Sequence, residues 1–173
     1  MHPVASFQCG VLTLSDKGAR GEREDTSGPA LQAMLEAAGF TVAQSSVIPD
    51  EQTQIEAVLI AWADVLRLDL IITTGGTGVS PRDCTPEATR NIIDREVPGL
   101  AEAMRLASLA ATPQAVWSRG IAGIRSACLI INVPGSQKAA RENLAAVLPA
   151  LPHGLEKIKG SQQDCAAVAS PPA

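Results

Sequence analysis

Short apolar, β-branched runs alternate along the chain with longer stretches of helical periodicity. The runs at 7–14, 40–47, 70–74 and 128–133 read as strands, the last two as buried central ones. Between them, Leu31, Met34, Leu35 and Ala38 recur at helical spacing after Ser27-Gly28-Pro29, and Gly39 ends that helix. Ile55, Val58, Leu59 and Trp62 give a second stripe over 51–66. Further helices are predicted at 86–94, 98–109, 137–148 and 151–159, with a short turn started by Thr112-Pro113. This alternation predicts an α/β fold, a three-layer sandwich around a mostly parallel β-sheet. No repeat or linker interrupts it. Residues 1–160 read as a single domain with a loose start at 1–6, and 161–173, ending Ala-Ser-Pro-Pro-Ala, as a disordered tail.

The chemistry concentrates where the strand at 70–74 ends. Three glycines occur within Gly75-Gly76-Thr77-Gly78, and Thr85-Pro86-Glu87 then opens a helix with a capping Thr, a first-position Pro and an acid in the first turn. Glycine amides and threonine hydroxyls can surround an anion at such a place, and Asp83 lies where a phosphate and its metal ion would sit. The stretch is neither a P-loop, lacking Gly-Lys-Ser/Thr, nor a dinucleotide fingerprint, since Pro81 stands where the third glycine belongs.

Ser15-Asp16 ends the first strand. The charged segment after it is either a solvated loop or a cover over an anionic ligand, supplying Lys17, Arg20 or Arg23. Asp50 caps the helix that follows it. If the second strand lies beside the 70–74 strand, Asp50 also faces Asp83, and the pair can share Mg²⁺. The turn from Asn132 to Ser136 repeats the strand, glycine turn, helix pattern.

Composition narrows the partners. An aromatic content of 2% argues against a base-stacking platform, and a net charge of -4 disfavours a broad nucleic-acid or anionic-membrane surface. The cysteines at 9, 84, 128 and 165 form no C-x-x-C pair, and the only histidines are His2 and His153, so a zinc site is not expected. Cys9 and Cys128 read as buried thiols. Cys84 sits beside the glycine loop, with no sign of nucleophilic use. The absence of a signal peptide or an 18-residue apolar span points to a reduced, cytoplasmic protein.

Four groups of residues together resemble the molybdopterin-binding family of molybdenum cofactor biosynthesis, specifically its adenylyltransferases. They are Ser15-Asp16 with Asp25 to Pro29; Gly75 to Gly78 with Arg82-Asp83-Cys84-Thr85-Pro86-Glu87; Ser118-Arg119 with Ala122-Gly123-Ile124; and Ile131 to Ser136. The resemblance implies a trimeric α/β protein that transfers AMP from ATP, with Mg²⁺, to the terminal phosphate of molybdopterin and releases pyrophosphate. A partner enzyme then inserts molybdenum. It implies Asp83 and Asp50 as catalytic and metal-holding residues. It assigns Gly75, Gly76, Thr77, Gly78, Ser15 and Asp16 to the nucleotide phosphates. Ser118, Arg119, Asn132, Pro134, Gly135 and Ser136 fall to molybdopterin. Gln137 departs from the family, which more often has Pro there. The alternatives are a molybdopterin-binding paralogue without adenylation, an interaction module, and a nucleotide hydrolase. The last would need a base that no histidine supplies.

Overall fold

Every residue of the 70–74 run is buried, which only a strand covered on both faces allows. In the computed structural model, which describes residues 7–161, it is the third strand of a six-stranded sheet. The expected loose start and, beyond Ser161, the expected tail lie outside the described residues. The strands are β1 (Gln8–Leu14), β2 (Thr41–Ile48), β3 (Leu70–Thr74), β4 (Arg95–Glu96), β5 (Ala122–Arg125) and β6 (Cys128–Val133), in the order β2-β1-β3-β6-β5-β4. The first four in that order run parallel, and β5 and β4 add an antiparallel margin.

Side-chain alternation splits the core in two. Val11, Ile72 and Ile131 face α2 (Ser27–Ala37), α5 (Pro98–Ala111), α6 (Gln137–Val147) and α7 (Leu151–Ile158). Leu12, Ile71 and Ile130 face α3 (Gln52–Ile60) and α4 (Thr85–Ile92). The expected three layers are therefore present. A single helical turn, α1 (Asp16–Ala19), follows β1.

Three local features differ from the sequence expectation. Neither β4 nor β5 is visible as a strand in the sequence. β4 is two residues long, and β5 contains Gly123, where a Cβ would meet Ile93 and the Arg95 carbonyl. The helix expected over 51–66 is α-helical only to Ile60 and widens into a π turn at Ala61–Val65. There the adjacent residues Trp62 and Ala63 are both buried, and Trp62 packs against Gly10, where a Cβ would come within 2.7 Å of its ring.

After β1 the chain goes by α2 to β2 on one side, then returns by α3 to β3 on the other side of β1. The β1/β3 boundary is thus the switch point where open α/β sheets form a crevice beyond their carboxyl ends. At the opposite end, buried Asp69 accepts a hydrogen bond from the Gln8 N–H at 2.8 Å. It also pairs with Lys159 at 2.5 Å, tying the C-terminal helix to the base of the sheet.

Candidate active site

The carboxyl ends of β1, β2, β3 and β6 deliver four segments to the crevice. Ser15 caps α1 by accepting from the Gly18 N–H at 3.0 Å. Asp16 and Asp50 hold each other: each backbone N–H donates to the other's carboxylate at 3.0 Å. Arg82 then bridges Asp16 and Glu51. The premise that β2 lies beside β3 is wrong, because β1 intervenes. Asp50 reaches the glycine loop through this Asp16 exchange, and its Oδ1 comes within 3.0 Å of where a Gly76 Cβ would stand.

The glycine loop takes backbone shapes that other residues strain to adopt. Gly75 has φ +104° and Gly76 φ +63°. Thr85 is the expected cap of α4, but Cys84 occupies the cap position and Thr85 is fully buried. Its hydroxyl donates to the Gly75 carbonyl at 2.9 Å and its N–H to that of Gly76 at 3.1 Å. Closing the loop takes precedence over capping because buried loop carbonyls must find a donor. Asp83 accepts from the Ser80 N–H at 2.8 Å.

Asp25 caps α2. It accepts from the N–H groups of Ser27 and Gly28 and from the Thr13 hydroxyl, and a Gly28 side chain would collide with it. On the β6 side, Pro134 accepts from the Thr74 hydroxyl and Gly135 from the Ser27 hydroxyl, both at 2.7 Å. Ser136 caps α6, so the turn closes with Gln137 in place of Pro.

Two cavities open from this frame. A polar one of about 530 Å³ is lined by Ser15, Arg23, Asp50, Gly75 and Ser136 among others. An apolar-walled one of about 430 Å³ lies between the loop, α5, the 3₁₀ turn Pro113–Trp117 and α6. Thr77, Gly78, Trp117, Ser118 and Pro134 are in its wall. Gly76, Asp83 and Gly135 line both. The glycine loop is therefore divided between the cavities instead of serving one.

Asp16 lines neither cavity and supports Asp50. Asn132 is also outside both. It is buried and donates to the hydroxyls of Thr73 and Thr89 at 2.9 and 3.0 Å while accepting from the Ile121 N–H. Arg119 turns inward on the loop, donating to the carbonyls of Gly78 and Asp83 and pairing with Glu87. Of the loop cations, Arg20 is bound to Glu22, Lys17 lines neither cavity and Arg23 lines the polar one. Sequence reasoning missed the apolar cavity's helical wall, Arg105, Ser108 and Asn143. Its signal was a polar residue on each of two buried helix faces, where the Asn143 amide donates to the Ser108 hydroxyl at 2.7 Å.

Burial pushes the Asp50 carboxyl above its usual range, and the charges of Asp16 and Asp83 add to this. Asp16 is held low by the Arg82 hydrogen bonds and the Asp50 N–H. Burial, then the Asp50 charge, raises the Cys84 thiol, which lines neither cavity. Cys9 and Cys128 are pushed by burial to about 12.

The donor set suits a magnesium ion carried on a phosphate substrate. Oδ2 of Asp50 and Oδ2 of Asp83 are engaged by backbone N–H groups, leaving each residue its Oδ1. Among the described residues no cluster of three or more His, Cys, Asp or Glu makes an all-protein cage. Magnesium ordinarily takes one or two carboxylates and completes its shell with phosphate oxygens and water.

A family described as "Probable molybdopterin binding domain" matches residues 10–153. The chain is 44% identical over 160 residues to the molybdopterin adenylyltransferase of Helicobacter pylori strain J99, covering 91% of each. It is 40% identical over 144 residues to that of Escherichia coli K12, covering 82% of this chain and 74% of that protein. A crystal structure of a molybdopterin biosynthesis enzyme from Thermus thermophilus superposes with a TM-score of 0.85 at 57% identity, covering 90% of this chain and 98% of that one.

Proposed function

This chain belongs to the molybdopterin-binding domain family, and we propose that it works there as a molybdopterin adenylyltransferase. One observation carries the reading: two cavities of opposite character meet at Asp83. Glycine amides and hydroxyls suit the polar cavity to a triphosphate. The apolar walls and few polar groups of the other suit a planar pterin. A ligand in each brings its phosphate end to the shared residues Gly76, Asp83 and Gly135.

The reaction is then a displacement at phosphorus. An oxygen of the terminal phosphate of molybdopterin attacks the α-phosphorus of ATP. A new P–O bond forms, the bond to the bridging oxygen of the β-phosphate breaks, and pyrophosphate leaves with the electron pair. The attacking oxygen is already anionic, so no base is needed, and positioning and charge stabilisation dominate. Mg²⁺, held by the remaining oxygens of Asp50 and Asp83, would supply neutralising charge. Ser15 and the loop amides orient the nucleotide, Asp16 fixes Asp50, and Ser118 and Pro134 wall the pterin cavity. Purified chain, molybdopterin, ATP and Mg²⁺ should release pyrophosphate only when molybdopterin is present. Tight molybdopterin binding without pyrophosphate would make the chain a binding paralogue.

Asp50 gives a pH-dependent test. Its folded carboxyl is raised, so the fold prefers it protonated. The charged form costs stability above the folded value, and that cost vanishes below the ordinary carboxylate range. Asp50→Asn should therefore keep or raise Tm at neutral pH, with the gain fading on acidification. Turnover should fall on the order of a hundredfold. A Tm that drops together with turnover would make Asp50 a structural residue.

The reading includes a homotrimer and a partner that inserts molybdenum into the product. Leu106, Leu109, Val116 and Trp117 expose a large apolar surface on α5 and the adjoining 3₁₀ turn, which suits contact with further copies. Light scattering should return three copies of the 17.9 kDa chain, and a monomer mass would remove the trimer. Three free cysteines among the described residues fit the cytoplasm. No helix among those residues is long and apolar enough to cross a membrane.

A further inference from the structure

Four hydrogen bonds from one residue reach the glycine loop, Asp83, which lines both cavities, and the first turn of α4. The Arg119 N–H donates to the Thr77 carbonyl at 2.8 Å, Nε to that of Gly78 at 2.6 Å and Nη2 to that of Asp83 at 2.8 Å. Nη1 pairs with the Glu87 carboxylate on the first turn of α4. Burial acts to raise that carboxyl, yet the Arg119 bond and a backbone hydrogen bond together hold it below its usual range. The other Glu87 oxygen is buried with no hydrogen-bond partner, so among the described side chains Arg119 holds this carboxylate.

The residues just before Arg119 face the other way. Trp117 and Ser118 line the apolar cavity, and Gly120 accepts from Arg105, which also lines it. Segment 117–120 is therefore wall on one side and clamp on the other. We infer that Arg119 is a positioning residue: it transmits occupancy of the apolar cavity to Asp83 and so couples the two substrates. The inference rests on the adenylyltransferase reading. It gives Arg119 a task other than gripping a substrate phosphate, because a new contact there would compete with bonds already closing the loop. The planar fork is what lets one side chain reach three acceptors, and a lysine ammonium lacks that geometry.

The test is Arg119→Lys and Glu87→Gln beside the wild-type chain, with two readouts. In the pyrophosphate assay, Arg119→Lys should lower kcat about a hundredfold with KM for ATP and for molybdopterin little changed, as expected when a reacting group is misplaced. Glu87→Gln should lose about tenfold, since the pair weakens but keeps its shape. In calorimetry with an ATP analogue whose α–β bridge cannot be cleaved, wild type should bind the analogue more tightly with molybdopterin present, and Arg119→Lys should lose that difference while still binding each ligand. A raised KM for molybdopterin at unchanged kcat would overturn the inference and make Arg119 a substrate ligand. Loss of both separate affinities together with a collapsed Tm would also overturn it, leaving a purely structural residue. Wild type that binds both ligands but releases no pyrophosphate refutes adenylation, and the calorimetric arm still decides Arg119.

Discussion

Asp83→Asn should cost on the order of 10²–10³ in molybdopterin-dependent pyrophosphate release while leaving the fold intact. The substitution is nearly isosteric, and the Asn amide oxygen can still accept from the Ser80 N–H, the bond that sets this turn. The loop then keeps its ties through Thr85 and Arg119, neither of which uses the Asp83 side chain. What disappears is a negative charge at the point common to both cavities. Its removal should also lower the Asp50 carboxyl somewhat, because Asp83 is one of the charges raising it; burial and Asp16 remain. The assay is pyrophosphate release with a thermal melt on the same sample. Full turnover in a normally melting variant would take Asp83 out of the chemistry and with it the main support for placing the reaction where the cavities meet.

Gly75→Ala should be strongly destabilising. At φ +104° a side chain is strained wherever it points, and here the new carbon would collide with the Leu14 carbonyl. That carbonyl cannot retreat: Leu14 is buried, its strand is paired to β2 through Leu14 itself, and the Gly75 N–H is anchored on Val133 of β6. Backbone strain of about 1–3 kcal/mol adds to the collision, for a total on the order of 3–5 kcal/mol. At roughly 2–4 °C per kcal/mol for a chain this size, Tm should fall by about 10 °C, with loss of turnover. Gly99→Ala is the control, since it lies in a helix with no heavy atom within 4 Å of the added carbon apart from its chain neighbours and its own helix backbone, and should be neutral or mildly stabilising. Equal melting of the two variants would show that the loop relaxes freely.

The parts of this fold legible in sequence are those where one local pattern decides the outcome. Leu70–Thr74 and Cys128–Val133 are bounded to the residue, because continuous apolar runs ending in glycine or proline admit little else at that length. The antiparallel margin is not legible: the glycine-containing β5 acquires its pairing from β6, and the two-residue β4 acquires its own from β5. At the site, the glycines announce themselves by composition. Thr85 misleads because local capping rules cannot see that Gly75 and Gly76 will present carbonyls to it. Asp50 is expected near Asp83 for a reason that fails, strand adjacency, and arrives by an exchange of hydrogen bonds with Asp16. Ser108 and Asn143 look like blemishes on apolar helix faces until α5 and α6 come together around a cavity.

The placement of the two tryptophans gives the protein a built-in pair of optical reporters. The chain has no tyrosine to obscure them. Trp62, 7% exposed and pressed on Gly10, emits from the second core, so its signal follows melting of the sheet. Trp117, 62% exposed in the single chain and lining the apolar cavity, reports on what is seated beside it, a pterin or a further copy. Replacing either one by Phe separates the two spectra, and at fixed protein concentration a titration of pterin can then be read apart from unfolding in a single cuvette.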